Sequence, residues 1–137
     1  MRLLFADSGY WVALLSPKDD FHLRAVQVSK SLHHPYRIIT SEMIFAEVLA
    51  AYREDPYLRK LATAAVKNMI DNPIIEVVPQ TRRLFQEAFE LYAARPDKSW
   101  SLTDCASFEI MRRRKITEAL AHDQHFQQAS FVALLRE

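Results

Sequence analysis

The chain is 137 residues long and 50% hydrophobic, with a single glycine and a single cysteine. That length suits one domain, 1–137, whose core needs no cross-links; Cys105 has no internal partner, so a reducing, cytoplasmic setting is expected. A net charge of +1 excludes a strong global pull toward polyanions. No apolar run approaches the roughly 18–20 residues of a membrane span, and the opening "MRLLFADSGYWVALL", interrupted by Asp7 and lacking a small-residue cleavage pattern, does not read as a signal peptide.

In chain order, "LLFAD" (Leu3 to Asp7) is a short apolar run ending in an acid and reads as a buried strand. "SGYWVALL" follows as a short helix. "DDFHLRAVQVSKSLHH" carries Phe21, Leu23, Ala25, Val26 and Val28 on a helical face that Pro35 stops. "RIIT" is a second strand. "SEMIFAEVLAAYRE" opens a helix at Thr40 or Ser41, either of them a good cap. "PYLRKLATAAVKNMID" starts a further helix with Pro56 in its first turn. "IIEVV" (Ile74 to Val78), between Pro73 and Pro79, is the third strand. "QTRRLFQEAFELYAAR" is a helix, "RPDKSW" a loop, and "SLTDCASFEIMRRRK" another helix. "ITEALAHD" holds a fourth strand ending in an acid, and "FVALL" a fifth. Short strands alternating with helices predict an α/β domain built on a mainly parallel sheet. The near absence of glycine excludes a glycine-rich phosphate loop.

Four acids stand out. Asp7 and Asp123 end strands, and ligand sites of open parallel sheets form beyond the carboxyl ends of strands where the strand order reverses. Each alone is equally at home as a helix cap. Glu47 shares a helix face with Met43, Ile44, Val48 and Ala51, where an unpartnered carboxylate costs on the order of several kcal/mol. Alone, it reads equally as an acid at the stripe edge, reaching solvent. Asp104 completes "S-x-x-D" with Ser101, a capping-box pattern, yet it is in register with Phe108 and Met111 on an inward face. Clustering explains all four together better than four separate bland roles do. Clustered carboxylates repel and raise one another's pKa. A hard divalent cation relieves that repulsion, and oxygen donors without matching His or Cys favour Mg²⁺ or Mn²⁺ over zinc. Such an ion suits hydrolysis of a phosphodiester.

With these residues in place, the sequence resembles PIN-domain ribonucleases of the VapC toxin type over nearly its whole length. "FADSGYWVALL" resembles the opening block, with Asp7 and the hydroxyl of Ser8. "ITSEMIFAEVLAAY" resembles the second, with Glu47, and "WSLTDCASFEIMRRRKITEALAHDQHF" resembles the third and fourth, with Asp104 and Asp123. The order and spacing of the blocks carry the resemblance. It implies a five-stranded parallel sheet in the order 3-2-1-4-5 and metal-dependent cleavage of single-stranded RNA. It also implies a small antitoxin partner and a homodimer. Many relatives carry a further acid two residues after the fourth, where this chain has His125; others share "D-x-H-F".

Other residues divide more evenly. His125 reads as a structural histidine or as a contact to phosphate or metal-bound water. Ser8 and Ser101 suit carboxylate orientation or capping alike. Trp11 and Trp100 suit base stacking or core packing. Arg112, Arg113 and Arg114 read as a solvated helix face, and Cys105 reads as packing. Competing functions are a housekeeping nuclease, a non-cleaving RNA-binding module and a phosphoacceptor signalling domain. A pure binding module gains nothing from four carboxylates facing an anionic ligand, and the third strand lacks the terminal Asp that a phosphoacceptor needs.

Overall fold

The computed structural model describes residues 1–136. Its elements are β1 (Arg2–Ala6), α1 (Ser8–Leu15), α2 (His22–Ser31), β2 (Tyr36–Ser41), α3 (Glu42–Ala51), α4 (Pro56–Asp71), β3 (Ile75–Val78), α5 (Arg82–Ala94), α6 (Leu102–Arg114), β4 (Glu118–Leu120), α7 (Gln124–Gln128) and β5 (Val132–Ala133), followed by a 3₁₀ turn over Leu134–Arg136. The helices begin where the sequence offers side-chain acceptors for the unpaired amides of a first turn. Ser41 Oγ accepts from the Ile44 amide at 3.1 Å to open α3, and Thr81 Oγ1 accepts from Leu84 at 3.1 Å to open α5. Asp55 accepts from Tyr57 and Leu58 at 2.8 and 3.2 Å, with Pro56 in the first turn of α4. Each cap contributes about 1 kcal/mol.

The five strands form one parallel sheet in the order β3-β2-β1-β4-β5, as the resemblance implies. β1 lies at the centre, with Phe5 opposite both Ile39 of β2 and Ala119 of β4. Consecutive residues Leu4, Phe5 and Ala6 are fully buried. Since successive side chains leave opposite faces of a strand, both faces of the sheet are covered, as parallel sheets require. The strand order reverses at β1, which has β2 on one side and β4 on the other; the crevice beyond these strand ends is where such folds place their sites.

Two boundaries differ from the sequence reading. β1 ends at Ala6, and Asp7 already caps α1; β4 ends at Leu120, three residues before Asp123. The ladder closes where the Asp7 amide donates to the Leu120 carbonyl at 3.1 Å. Beyond it the chain turns so that the His122 ring stacks on Phe21 with centroids 4.1 Å apart. The acids thus project from the turns just past the strands rather than from the strands themselves.

Both tryptophans belong to the packing. Trp11 donates to Thr40 Oγ1 at 3.3 Å; Trp100 donates to Gln128 Oε1 at 3.0 Å and meets Phe108 edge-on. The arginine run lies on the surface in ion pairs: Arg112 with Glu109, Arg113 with Glu87, and Arg114 with Glu76. Cys105 is fully buried, and burial, reinforced by the charges of Asp104 and Glu109, pushes its thiol up to about 11. It therefore carries almost no thiolate near neutral pH.

Candidate active site

The four acids arrive from four elements. Asp7 is the cap residue between β1 and α1, yet its carboxylate makes no capping bond to that helix's first turn. It is only 7% exposed. Glu47 sits midway along α3, on a face whose Ile44 and Val48 are fully buried. Ser8 Oγ donates to Glu47 Oε1 at 2.8 Å, which ties the start of α1 to the middle of α3. The Thr103 hydroxyl, from the first turn of α6, favours the charged form of Glu47. The Ser8 hydroxyl fixes the direction of a side chain that would otherwise rotate freely.

Asp104 occupies the third position of α6 and does take part in the capping box. The Ser101 side chain accepts from the Asp104 amide, and Asp104 Oδ2 accepts from the Ser101 amide, both at 3.0 Å. The same Oδ2 lies 3.0 Å from His125 Nδ1. Capping and site membership coexist, because the backbone bond holds the carboxylate at a fixed height above the helix start. Asp123 likewise caps α7 through Oδ1, which accepts from the His125 amide at 2.9 Å and lies 3.2 Å from His125 Nδ1. One potential donor atom from each of Asp104, Asp123 and His125 falls within 4.8 Å of the others. Hydroxyls and helix starts, which carry partial positive charge, hold the group in place.

The electrostatics are those of an unneutralised cluster. Burial raises the Asp7 carboxyl to about 7, with the charges of Asp104, Glu47 and Asp123 adding to the effect and the Ser8 amide opposing it. Burial likewise raises Glu47; Ser8 and Thr103 oppose this, while Asp104 and Asp123 reinforce it. Among the described residues no lysine or arginine is ion-paired with any of the four acids. A buried carboxylate without a counter-charge is unfavourable, so the donor set fits a hard divalent cation. Asp7, Glu47, Asp104 and Asp123 would hold it, and when bound it would supply charge neutralisation and an activated water.

The chain's one glycine helps to build this geometry. A Cβ added at Gly9 would lie 2.7 Å from His122 Nε2. The first turn of α1 therefore packs directly against the His122 ring in the segment leading to Asp123, and a side chain at position 9 would require that ring to shift. Sequence reasoning did not place His125, Ser99 or Thr103 in the site. Nδ1 of His125 faces two of the acids, while its Nε2 lies 3.3 Å from Ser99 Oγ. The signal available for His125 was its position two residues after Asp123 at a helix start. Thr103, directly before Asp104, carried no signal of its own.

Comparison with known proteins agrees with the fold. The PIN-domain family model matches residues 4–132. The chain is 27% identical, over 136 residues covering 98% of it and all of the relative, to the 23S rRNA-specific endonuclease VapC20 of Mycobacterium tuberculosis. The crystal structure of M. tuberculosis VapC20, described as a sarcin–ricin loop cleaving toxin, superposes with a TM-score of 0.85 at 26% identity, covering 94% of this chain and 96% of the other. Two more distant structures share the fold. VapBC2 of Rickettsia felis, bound to a promoter DNA fragment, has a TM-score of 0.67 at 9% identity, covering 96% of each chain. FitAcB of Neisseria gonorrhoeae has a TM-score of 0.68 at 17% identity, covering 95% of this chain and 94% of the other. With the family model matched from the first strand to the last and the strand order of the sheet in agreement, the chain belongs to the PIN-domain family.

Proposed function

We propose that this protein is a Mg²⁺- or Mn²⁺-dependent endoribonuclease and the toxin of a VapBC-type toxin–antitoxin pair. The observation that carries this reading is the cluster of Asp7, Glu47, Asp104 and Asp123 at the strand-order reversal, with Asp7 raised to about 7 and, among the described residues, no lysine or arginine ion-paired with any of the four. A site meant only to bind RNA would repel its ligand. A site that holds a cation turns the same carboxylates into a scaffold for phosphodiester hydrolysis. Within it, Asp104 is held by the Ser101 amide, Glu47 by Ser8, and Asp123 by the His125 amide. These three acids are therefore oriented before the reaction begins. The likeness to VapC20 supports RNA as the substrate class and makes a structured ribosomal loop the first target to try.

Two uncovered apolar surfaces suit the two protein partners of this reading. The end of α1 together with α3 and α4 forms a concave groove lined by Leu15, Tyr52, Leu58, Leu61 and Ala62, which fits an inserted helix of the antitoxin. On α5, Phe85, Phe89 and Tyr92 are 42%, 55% and 51% exposed at helical spacing. This convex stripe suits pairing with its own copy about a two-fold axis.

The test is cleavage of single-stranded and stem-loop RNA by the purified protein. Activity should require Mg²⁺ or Mn²⁺ and stop on adding EDTA. Asp104→Asn should lower the rate by about a hundredfold or more, the scale seen when an electrostatic group of an active site is removed. Cleavage by that variant at the wild-type rate would remove Asp104 from the site and the proposal with it. An upstream reading frame encoding a small DNA-binding protein would support the toxin role, whereas its absence would favour a housekeeping nuclease.

A further inference from the structure

His125 stands apart from the four acids because it brings nitrogen to an oxygen site. Its Nδ1 lies 3.0 Å from Asp104 Oδ2 and 3.2 Å from Asp123 Oδ1, and its side chain is 19% exposed. The ring is held from three directions. The backbone of the same residue donates to Asp123 Oδ1 at 2.9 Å, which fixes the start of α7 relative to the acid. Ser99 Oγ lies 3.3 Å from Nε2, on the far side of the ring. Asp104, anchored by the Ser101 amide, closes the third side. Metal-binding histidines commonly have this arrangement: one ring nitrogen faces the carboxylates and the other meets an outer partner that sets tautomer and ring angle.

We propose that His125 is a nitrogen ligand of the divalent cation, bound through Nδ1, and that it biases this centre toward Mn²⁺ over Mg²⁺. The proposal rests on the metal-dependent reading above. Mg²⁺ takes oxygen donors almost exclusively, whereas Mn²⁺ accepts imidazole more readily. Nδ1 ligation places the ring proton on Nε2, where Ser99 Oγ is the acceptor. Ser99 is then a positioning residue that acts through His125.

The decisive experiment is pulsed electron paramagnetic resonance on the Mn²⁺ complex of the full chain, prepared with natural-abundance and with ¹⁵N-labelled histidine. The wild type should show a histidine nitrogen coupled to the Mn²⁺ spin, with a frequency that changes on labelling. His125→Asn should lose that coupling and reduce the ratio of Mn²⁺ to Mg²⁺ affinity by about tenfold, while Ser99→Ala should weaken Mn²⁺ binding less. Mn²⁺ bound by the wild type without any histidine coupling would overturn the ligand assignment and leave the carboxylate centre intact. Coupling that persists in His125→Asn would overturn it too, by pointing to one of the other histidines. If the folded wild type binds no Mn²⁺ at all, both this proposal and the metal-dependent reading fall. The wild-type isotope comparison decides the matter even if a variant folds poorly.

Discussion

Asp7→Asn should make the metal-free protein more stable while removing its function. The Asp7 carboxyl is raised from 3.8 to about 7 by burial and by the surrounding acids. Between those two values the folded chain holds a proton that the unfolded chain has released. Folding stability therefore falls as pH rises through this window and levels off above about 7. At 1.36 kcal/mol per pKa unit, the full penalty above the folded pKa is about 4 kcal/mol, and roughly half of it has accumulated by about pH 5.5. That is a large fraction of the 5–15 kcal/mol typical of a domain. Asparagine keeps the shape but has no charge to bury. Urea unfolding in EDTA at about pH 5.5 and pH 8 measures this directly. The variant should gain stability relative to wild type, by about 2 kcal/mol more at the higher pH. Saturating Mg²⁺ should restore the wild type at the higher pH, by about 2.7 kcal/mol at a hundred times its dissociation constant, and should do far less for the variant. A variant no more stable than wild type at about pH 8 would refute the reasoning, because Asp7 would then not be a charge confined without a partner.

Gly9→Ala should cost about 1–3 kcal/mol in unfolding free energy and lower cleavage as well, because the new methyl group meets His122 beside Asp123; a neutral result in both would show that the His122 ring moves aside freely. Phe89→Glu should leave the melting temperature nearly unchanged and convert a dimer to a monomer in analytical ultracentrifugation, since the side chain is 55% exposed on α5; an unchanged dimer would move the interface elsewhere. Native Cys105 should resist alkylation at neutral pH and react only on unfolding, given a buried thiol raised to about 11. Rapid modification of the folded protein would contradict that placement.

Much of the fold was legible because its signals are local. Ser41, Asp55, Thr81 and Ser101 mark helix starts by residue type alone, and Pro56 marks a first turn. Strand order was not local information. Nothing in "LLFAD" says that it lies between β2 and β4, and the order came from the resemblance carried by the four acid blocks. Two of the acids stood out because each broke a local expectation: Glu47 interrupts an apolar face, and Asp104 stands in register with Phe108 and Met111, both buried. Asp123 was read as a strand end, but the three-residue strand stops at Leu120, where the Asp7 amide makes the last bond to it, and Asp123 lies in the turn beyond. The placement of His125 against Ser99 and Asp104 depends on how the starts of α6 and α7 meet, across the intervening strand β4. No periodicity encodes that. Nor did the sequence distinguish Trp100 as a packing residue from Trp100 as a stacking platform; its hydrogen bond to Gln128 and its contact with Phe108 settle it as packing.

The most direct test of the carboxylate centre is the single-turnover rate of cleavage of one defined RNA, measured as a function of Mg²⁺ concentration for the wild type and for Glu47→Gln. Glu47 is the informative position because Ser8 holds it in place, so glutamine can keep the shape while losing the charge. The account predicts no cleavage without the metal, saturation as the metal is added, and a variant that needs far more Mg²⁺ and remains slow at saturation. Equal rates for the two proteins, or cleavage that persists in EDTA, would contradict it.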